Sequence, residues 1–250
     1  MLLIVLWAVS QNSFAANKLI ETIKVMKPSV VGIGTHTPTA RPQNALMGSG
    51  FAIADGRHIV TNHHVVPEAL DQERLQKLVI FIGSGRSGQV RNAVLVASSK
   101  EHDLAILKIE GEALPAMKLA KDSLVEEGLE IAFTGFPIGA VLGLYPATHR
   151  GIVAAVTPRI TPIANGVKLT PKMLKSLRNP FMIYQLDATA YPGNSGSALY
   201  NSETREVVGI INSVFVKGDK EAAITKPSGI TYAIPVKYLR QLLNKKNIEY

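Results

Sequence analysis

The chain has 250 residues, 46% hydrophobic and 18% charged, a globular balance with apolar mass enough for a real core in one large domain or two smaller ones. It has no cysteine, which excludes disulfides and thiolate metal sites as supports of the fold. The net charge of +8 would suit an anionic partner, but the basic residues are spread out, densest at Lys168, Lys172, Lys175 and Arg178 and at Lys237, Arg240, Lys245 and Lys246. Aromatic residues make up 6% and do not interleave with them, so they form no stacking platform. No nucleic-acid partner is expected, and these lysines read as solvated helix faces.

Residues 2–9, "LLIVLWAV", are all apolar, yet a membrane-spanning helix needs roughly 20 such residues. Polar "SQNS" and then "FAA" follow, with small Ser13 and Ala15 at the spacing of a cleavage site. Residues 1–15 are therefore expected to be a signal peptide cut after Ala15, although no Lys or Arg precedes Lys18. The alternative is a frayed apolar N-terminus or a simple anchor. An exported chain would be periplasmic or extracellular, with no stable membrane span after cleavage.

Residues 17–27 have helical spacing at Ile20, Ile23 and Met26, and Pro28 stops the helix. Strand signals then take over. "SVVGI" (29–33) is a short buried run, and the prolines of "THTPTARPQN" (35–44) mark a loop. "GSGFAI" and "HIVT" are strand-like runs joined by a turn that contains Asp55-Gly56, a strong hairpin signal. "LVIFI" (78–82), "QVRNAVLVA" (89–97) and "DLAILKI" (103–109) continue the pattern.

The stretch from Ala113 to Gly128 has no clear strand pattern and is the expected boundary, dividing the chain into domains 16–120 and 121–250. Strands resume at "LEIAFTGF", "GIVAAV", "FMIYQLD", "SALY", "EVVGIINSVFV" and "ITYAI". "LTPKMLKSLRNP" (169–180) reads as a helical insertion, either a lid over a site or an ordinary long loop. Pro235 can open a last helix, with Val236, Leu239, Leu242 and Leu243 as its packing stripe. Many short strands, frequent turns and few helices argue an all-β sandwich or barrel pair.

Three serine sites set between glycines compete as nucleophiles: Ser49 and Ser84 in "GSG" and Ser195 in "GNSG". The first two show nothing beyond local flexibility. In "YPGNSGSAL" a proline precedes and a strand follows, and Gly193 can adopt backbone angles closed to other residues. The N–H groups of Gly193, Asn194 and Ser195 could then converge as a nest for a developing oxyanion.

A serine hydroxyl needs a base to take its proton, and the base an acid to orient it. "TNHHVV" (61–66) supplies histidines at the end of a strand, and Asp103 stands at the mouth of the apolar strand "LAILKI". Asp103 could equally be a plain turn residue. The α/β-hydrolase elbow is not met, because Ser197 stands where its second glycine would be. The order His, Asp, Ser is that of chymotrypsin-type enzymes. A zinc site on His63 and His64 lacks a further ligand pair, and no metal or organic cofactor is expected.

The pieces "GSGFAI", "IVTNHHVV", "DLAILKI", "QLDATAYPGNSGSAL", "VVGIINS" and "YAIPV" run from about Ser29 to Val236. As an ordered set they resemble the trypsin-like serine peptidases, most nearly the bacterial HtrA/Deg branch. The resemblance implies two six-stranded antiparallel β-barrels, here with an N-terminal and a C-terminal helix. It implies His64 as base, with His63 at the variable position before it, Asp103 as orienting acid and Ser195 as nucleophile. It also implies backbone N–H groups at Gly193 and Ser195 as the oxyanion hole. His36, His58, His102 and His149 fall outside the motifs and are read as surface or packing residues.

The resemblance further implies Thr189 at the floor of the first specificity pocket, and Ile211, Asn212, Ser213 and Ile234 near its walls. With no acid at 189, small or medium apolar side chains are expected at the cleaved position rather than Lys or Arg. Neutral Asn194 replaces the aspartate that pairs with a freed amine in digestive members, so that activation route is not expected. The match is to a peptidase domain without the PDZ domain usual in the branch, and the oligomeric state is left open. The expected function is an exported serine endopeptidase acting on protein or peptide substrates. The rivals are a trypsin-like binding or chaperone module with little turnover, and an esterase using the same acyl chemistry.

Overall fold

A computed structural model describes residues 18–85, 88–137, 143–159, 180–212 and 229–250. The segment 1–15, the insertion expected at 169–180 (save its last residue) and Ser213 lie outside the described residues.

A first helix, α1 (residues 18–26), runs into a 3-10 turn at Lys27–Ser29, where Pro28 ends it. Six strands follow: β1 (Val30–His36), β2 (Asn44–Ile53), β3 (His58–Thr61), β4 (Lys77–Ile82), β5 (Gln89–Ser99) and β6 (Leu104–Ile109). They close into an antiparallel barrel in the order β1-β2-β3-β6-β5-β4. The β2–β3 hairpin turns through Asp55-Gly56, where Gly56 has φ +72° and its N–H returns to the Ile53 carbonyl at 2.9 Å.

The second half repeats the arrangement. It comprises β7 (Glu130–Gly135), β8 (Ala147–Pro158), β9 (Met182–Asp187), β10 (Ala198–Asn201), β11 (Val207–Asn212) and β12 (Ile230–Pro235). These close as β10-β11-β12-β9-β8-β7, again antiparallel throughout. The fold is two six-stranded antiparallel barrels with a helix at each end.

Each barrel has its own core. Val31, Ile33, Ile59, Ile80 and Leu107 fill the first, and Phe133, Val153, Tyr184, Leu186 and Ile211 the second. A third cluster joins them. Phe51, Ile53, Val60 and Ile106 of the first barrel pack with Phe136, Tyr200, Ile210 and Ile234 of the second. The final helix, α2 (Val236–Lys245), closes this seam with Val236, Leu239, Leu242 and Leu243, the stripe its spacing foretold, and with Tyr238. The linker between β6 and β7 touches both halves. Met117 N–H donates to Ala52 O (2.8 Å), and Ala120 N–H donates to Val207 O (2.9 Å). A shared apolar seam fixes the barrels relative to one another, as a groove assembled from both requires.

Candidate active site

Where β3 ends, Asn62 stays extended and the chain tightens into a 3-10 turn at His63–Val65. Val65 and Val66 are buried beneath it, which leaves the His64 ring at the surface with 31% of its side chain exposed. Asp103, the residue before β6, has φ +51°, in the left-handed region that Asp tolerates better than most residues. This twist turns its carbonyl toward Asn62 and His63. Asn62 Nδ2 and the His63 N–H both donate to Asp103 O at 3.1 Å.

The carboxylate of Asp103 is gripped from two sides. His64 N–H donates to Oδ1 at 2.9 Å, and His64 Nδ1 lies 2.6 Å from Oδ2. Asn212, at the end of β11, donates its amide to the same Oδ2 at 2.6 Å. A carboxylate offers only acceptors, so the imidazole facing it donates from Nδ1 and keeps Nε2 as its free lone pair. The two barrels thus meet on one oxygen, the first through His64 and the second through Asn212.

Ser195 lies between β9 and β10 on a loop whose peptides are pinned in turn. Gly193 (φ +100°) and Gly196 (φ +87°) take angles that suit glycine. Asn194 N–H donates to Tyr191 O and Ser197 N–H to Asn194 O, both at 3.0 Å. Gly196 N–H donates to Ile211 O at 3.0 Å, one residue from the Asn212 that holds Asp103. The Ser195 carbonyl accepts the Ser49 N–H of β2 at 2.8 Å. Gly48 stands where a Cβ would lie 2.8 Å from Val65 and 3.0 Å from Ser195 O, so the turn bearing His64 and the loop bearing Ser195 flank the same glycine. Ser195 itself is 6% exposed.

The Asn194 N–H, one of the three expected oxyanion donors, is turned to Tyr191. Of the three expected donors, Asn194 is the one whose N–H closes a turn within its own loop. The Asn194 side chain and the Ser197 hydroxyl are fully buried, and neither finds a hydrogen-bond partner among the described residues. Both crowd Gly135, where a Cβ would lie 2.1 Å from Ser197 Oγ, 2.7 Å from Ser49 Oγ and 2.9 Å from Asn194 Oδ1.

The residues expected around a specificity pocket separate. Thr189 is half-buried beside the nucleophile loop. Ile211 is completely buried in the second-barrel core, on the inward phase of β11, and Ile234 in the shared seam, on the opposite phase of β12, and neither presents surface to a substrate. Asn212 serves the His64–Asp103 pair.

The remaining histidines pack or pair. His36 Nδ1 bonds Asn44 and His58 Nδ1 pairs with Asp55, both at 2.8 Å. His102 stacks on Tyr238 of α2 (4.6 Å between centroids) and meets Phe181 edge-on at 5.2 Å. His149 stacks on Phe133 at 5.0 Å, with Tyr191 of the nucleophile loop at 5.9 Å. Burial pushes the pKa of both His102 and His149 below the ordinary histidine value, the nearby Glu101 charge partly opposing it for His102. Among the described residues no group of three or more His, Asp or Glu side chains could hold a metal ion, and no helix is long and apolar enough to cross a membrane.

Comparison with known proteins identifies the family and the fold. The family model described as "Trypsin-like peptidase domain" matches residues 48–210. A protein of Hahella chejuensis named "Probable periplasmic serine endoprotease DegP-like" is 32% identical over 82% of this chain and 36% of its own length. One of Marinomonas sp. with the same name is 30% identical over 85% of this chain and 38% of its own. The chain thus spans about a third of the length of the curated relatives it matches. Among solved structures, a serine endoprotease from Yersinia pestis covers 91% of the chain with a TM-score of 0.62, at 24% identity and over 66% of its own length. The HtrA-type protease AlgW with a decapeptide covers 92% with a TM-score of 0.64, at 24% identity and over 67% of its length. Those two share the fold. By the family match over most of its length and by its relatives, the chain belongs to the trypsin-like peptidase domain family.

Proposed function

We propose that this chain is an exported serine endopeptidase acting through His64, Asp103 and Ser195. The observation that carries the reading is the 2.6 Å contact of His64 Nδ1 with Asp103 Oδ2, an oxygen also held by Asn212 of the other barrel. With Nδ1 committed to the carboxylate, Nε2 is the basic nitrogen. It removes the proton from Ser195 Oγ as that oxygen bonds to the carbonyl carbon of a peptide. The carbonyl π pair moves onto oxygen, and the N–H groups of Gly193 and Ser195 stabilise the resulting oxyanion.

The imidazolium then protonates the departing amine, and the C–N bond breaks to leave an acyl-enzyme. Water, deprotonated by the same Nε2, attacks the ester, and the proton returns to Ser195 Oγ as the acid product leaves. Asp103 keeps the ring in its tautomer and stabilises the imidazolium in both half-reactions. These residues need no cofactor for this chemistry. The names of the relatives support a periplasmic setting, and the apolar segment 2–9 with small Ser13 and Ala15 supports export.

Neutral Thr189 gives a Lys or Arg side chain no counter-charge, so cleavage after small or medium apolar residues is the expected preference. Hydrolysis of casein and of a peptide library by wild type and by Ser195→Ala tests both statements. Wild-type activity that vanishes in Ser195→Ala, with an apolar profile, is expected. Equal rates for the two proteins would remove the enzyme reading, and a profile dominated by Arg would remove the specificity.

A further inference from the structure

Ser49 is one of the glycine-flanked serines whose sequence context showed only flexibility. In the fold it is fully buried on β2, at the seam between the barrels, and every polar group it has is engaged. Its N–H donates to Ser195 O at 2.8 Å, and its carbonyl accepts from Thr61 Oγ1 at 2.7 Å. Its hydroxyl accepts from the Phe136 N–H at 2.9 Å and lies 2.6 Å from Gly193 O. The direction of that last bond follows from chemistry: a carbonyl can only accept, so the one hydroxyl proton points at Gly193.

The peptide between Gly193 and Asn194 is therefore clamped at both ends. Its carbonyl is held by Ser49 and its N–H by Tyr191 O at 3.0 Å. This peptide lies between the two N–H groups, on Gly193 and Ser195, assigned to the oxyanion. Gly193 has no Cβ to restrain rotation, and at φ +100° it occupies a region glycine enters and leaves easily. The Ser49 hydroxyl supplies the restraint the residue itself lacks.

We propose that Ser49 is a positioning residue that holds the Gly193 and Ser195 N–H groups convergent by fixing the Gly193–Asn194 peptide from the opposite barrel. The inference rests on the proposed role of Ser195. Ser49 touches no reacting atom; it acts through the Gly193 carbonyl, on the side of the loop that faces β2.

Steady-state kinetics on Ser49→Ala and Ser49→Cys, with Ser195→Ala alongside, test it. Two inhibitors are measured on the same proteins: a peptide boronate that forms a tetrahedral adduct, and a product peptide that binds without one. Losing a whole oxyanion donor costs about 100- to 1,000-fold in kcat, so a donor left in place but loosened should cost about 10- to 100-fold. For Ser49→Ala we expect that loss in kcat, KM within about threefold, boronate affinity reduced by the same factor as kcat/KM, and product-peptide affinity unchanged.

The thiol of Ser49→Cys fills similar space but donates weakly, so its kcat should fall between the other two. Wild-type kcat in either variant, or product-peptide affinity falling in step with kcat, overturns the inference. If Ser49→Ala does not fold, as judged by circular dichroism, Ser49→Cys decides alone, lowered kcat at unchanged KM supporting the clamp and wild-type kcat overturning it. An active wild type, a silent Ser195→Ala and unaffected Ser49 variants would leave the enzyme reading standing without this one. A wild type no faster than Ser195→Ala would remove both.

Discussion

Asp103 holds the His64 backbone with one oxygen and its imidazole with the other, and shares the second with an amide from the other barrel, an arrangement that determines what substitutions there should do. Asp103→Asn keeps the backbone, because Asn also tolerates the left-handed conformation of φ +51°. The new NH2 must take one of the two oxygen positions: at Oδ1 it would oppose the His64 backbone N–H, which cannot turn away, so it takes the Oδ2 position and faces His64 Nδ1 and the Asn212 amide, which can flip. The imidazole is then driven to the tautomer with its proton on Nε2, which cannot take one from Ser195. A loss of about 10,000-fold in kcat with an unchanged thermal melt is expected; kinetics within tenfold of wild type would contradict the assigned tautomer. Gly135 bears on the same junction by sterics. The methyl of Gly135→Ala would overlap Ser197 Oγ and press on Ser49 Oγ. Overpacking of this kind costs about 1–3 kcal/mol or more, so denaturant unfolding should show at least that loss.

Among the elements, α2 has the plainest task, since its apolar stripe seals the seam between the barrels. Leu239 is completely buried there, and Leu239→Ala should cost about 2–5 kcal/mol in chemical denaturation. A loss below about 1 kcal/mol would mean that the helix lies on the seam without sealing it. The stacked histidines make a second claim at this scale. Burial lowers the pKa of His102 between the β5–β6 turn and α2, and of His149 on β8. The unfolded chain therefore takes up protons that the folded chain refuses as pH falls through about 6.5. Their contribution is complete above that pH and is lost below it, down to the folded pKa values. Melts of wild type and His149→Phe at pH 7.5 and 5.5 should show the smaller acid loss in the variant; equal losses would remove His149 from the account.

For the whole molecule, much of the architecture was legible because it is local. Alternating apolar runs placed most strands, "HIVT" coincides with β3, and Asp55-Gly56 marked its hairpin. β2 begins earlier than its apolar run, at Asn44, because pairing with β1 extends the ladder through polar residues that periodicity does not count. His64, Asp103 and Ser195 were legible as residue types in motifs. Their supports were not, because the contacts are distant in sequence: Asn212 lies 109 residues from Asp103, and Ser49 lies 144 from Gly193. Ile211 and Ile234, expected at pocket walls, are buried instead, Ile211 inside the second barrel and Ile234 in the seam, because strand phase is set by which faces the barrels close on and pack together. The Asn194 N–H, expected in an oxyanion nest, is instead turned to Tyr191 O by its own loop.

The central claim is that two barrels bring an oriented imidazole to an activated serine, and a fluorophosphonate probe reads that activation directly. Labelling of wild type, His64→Ala and Ser195→Ala, mapped by peptide mass spectrometry, should place one adduct on Ser195 of wild type. It should be slowed by several orders of magnitude in His64→Ala and be absent from Ser195→Ala. An unlabelled wild type, an adduct on another serine, or equal rates with and without His64 would contradict the account.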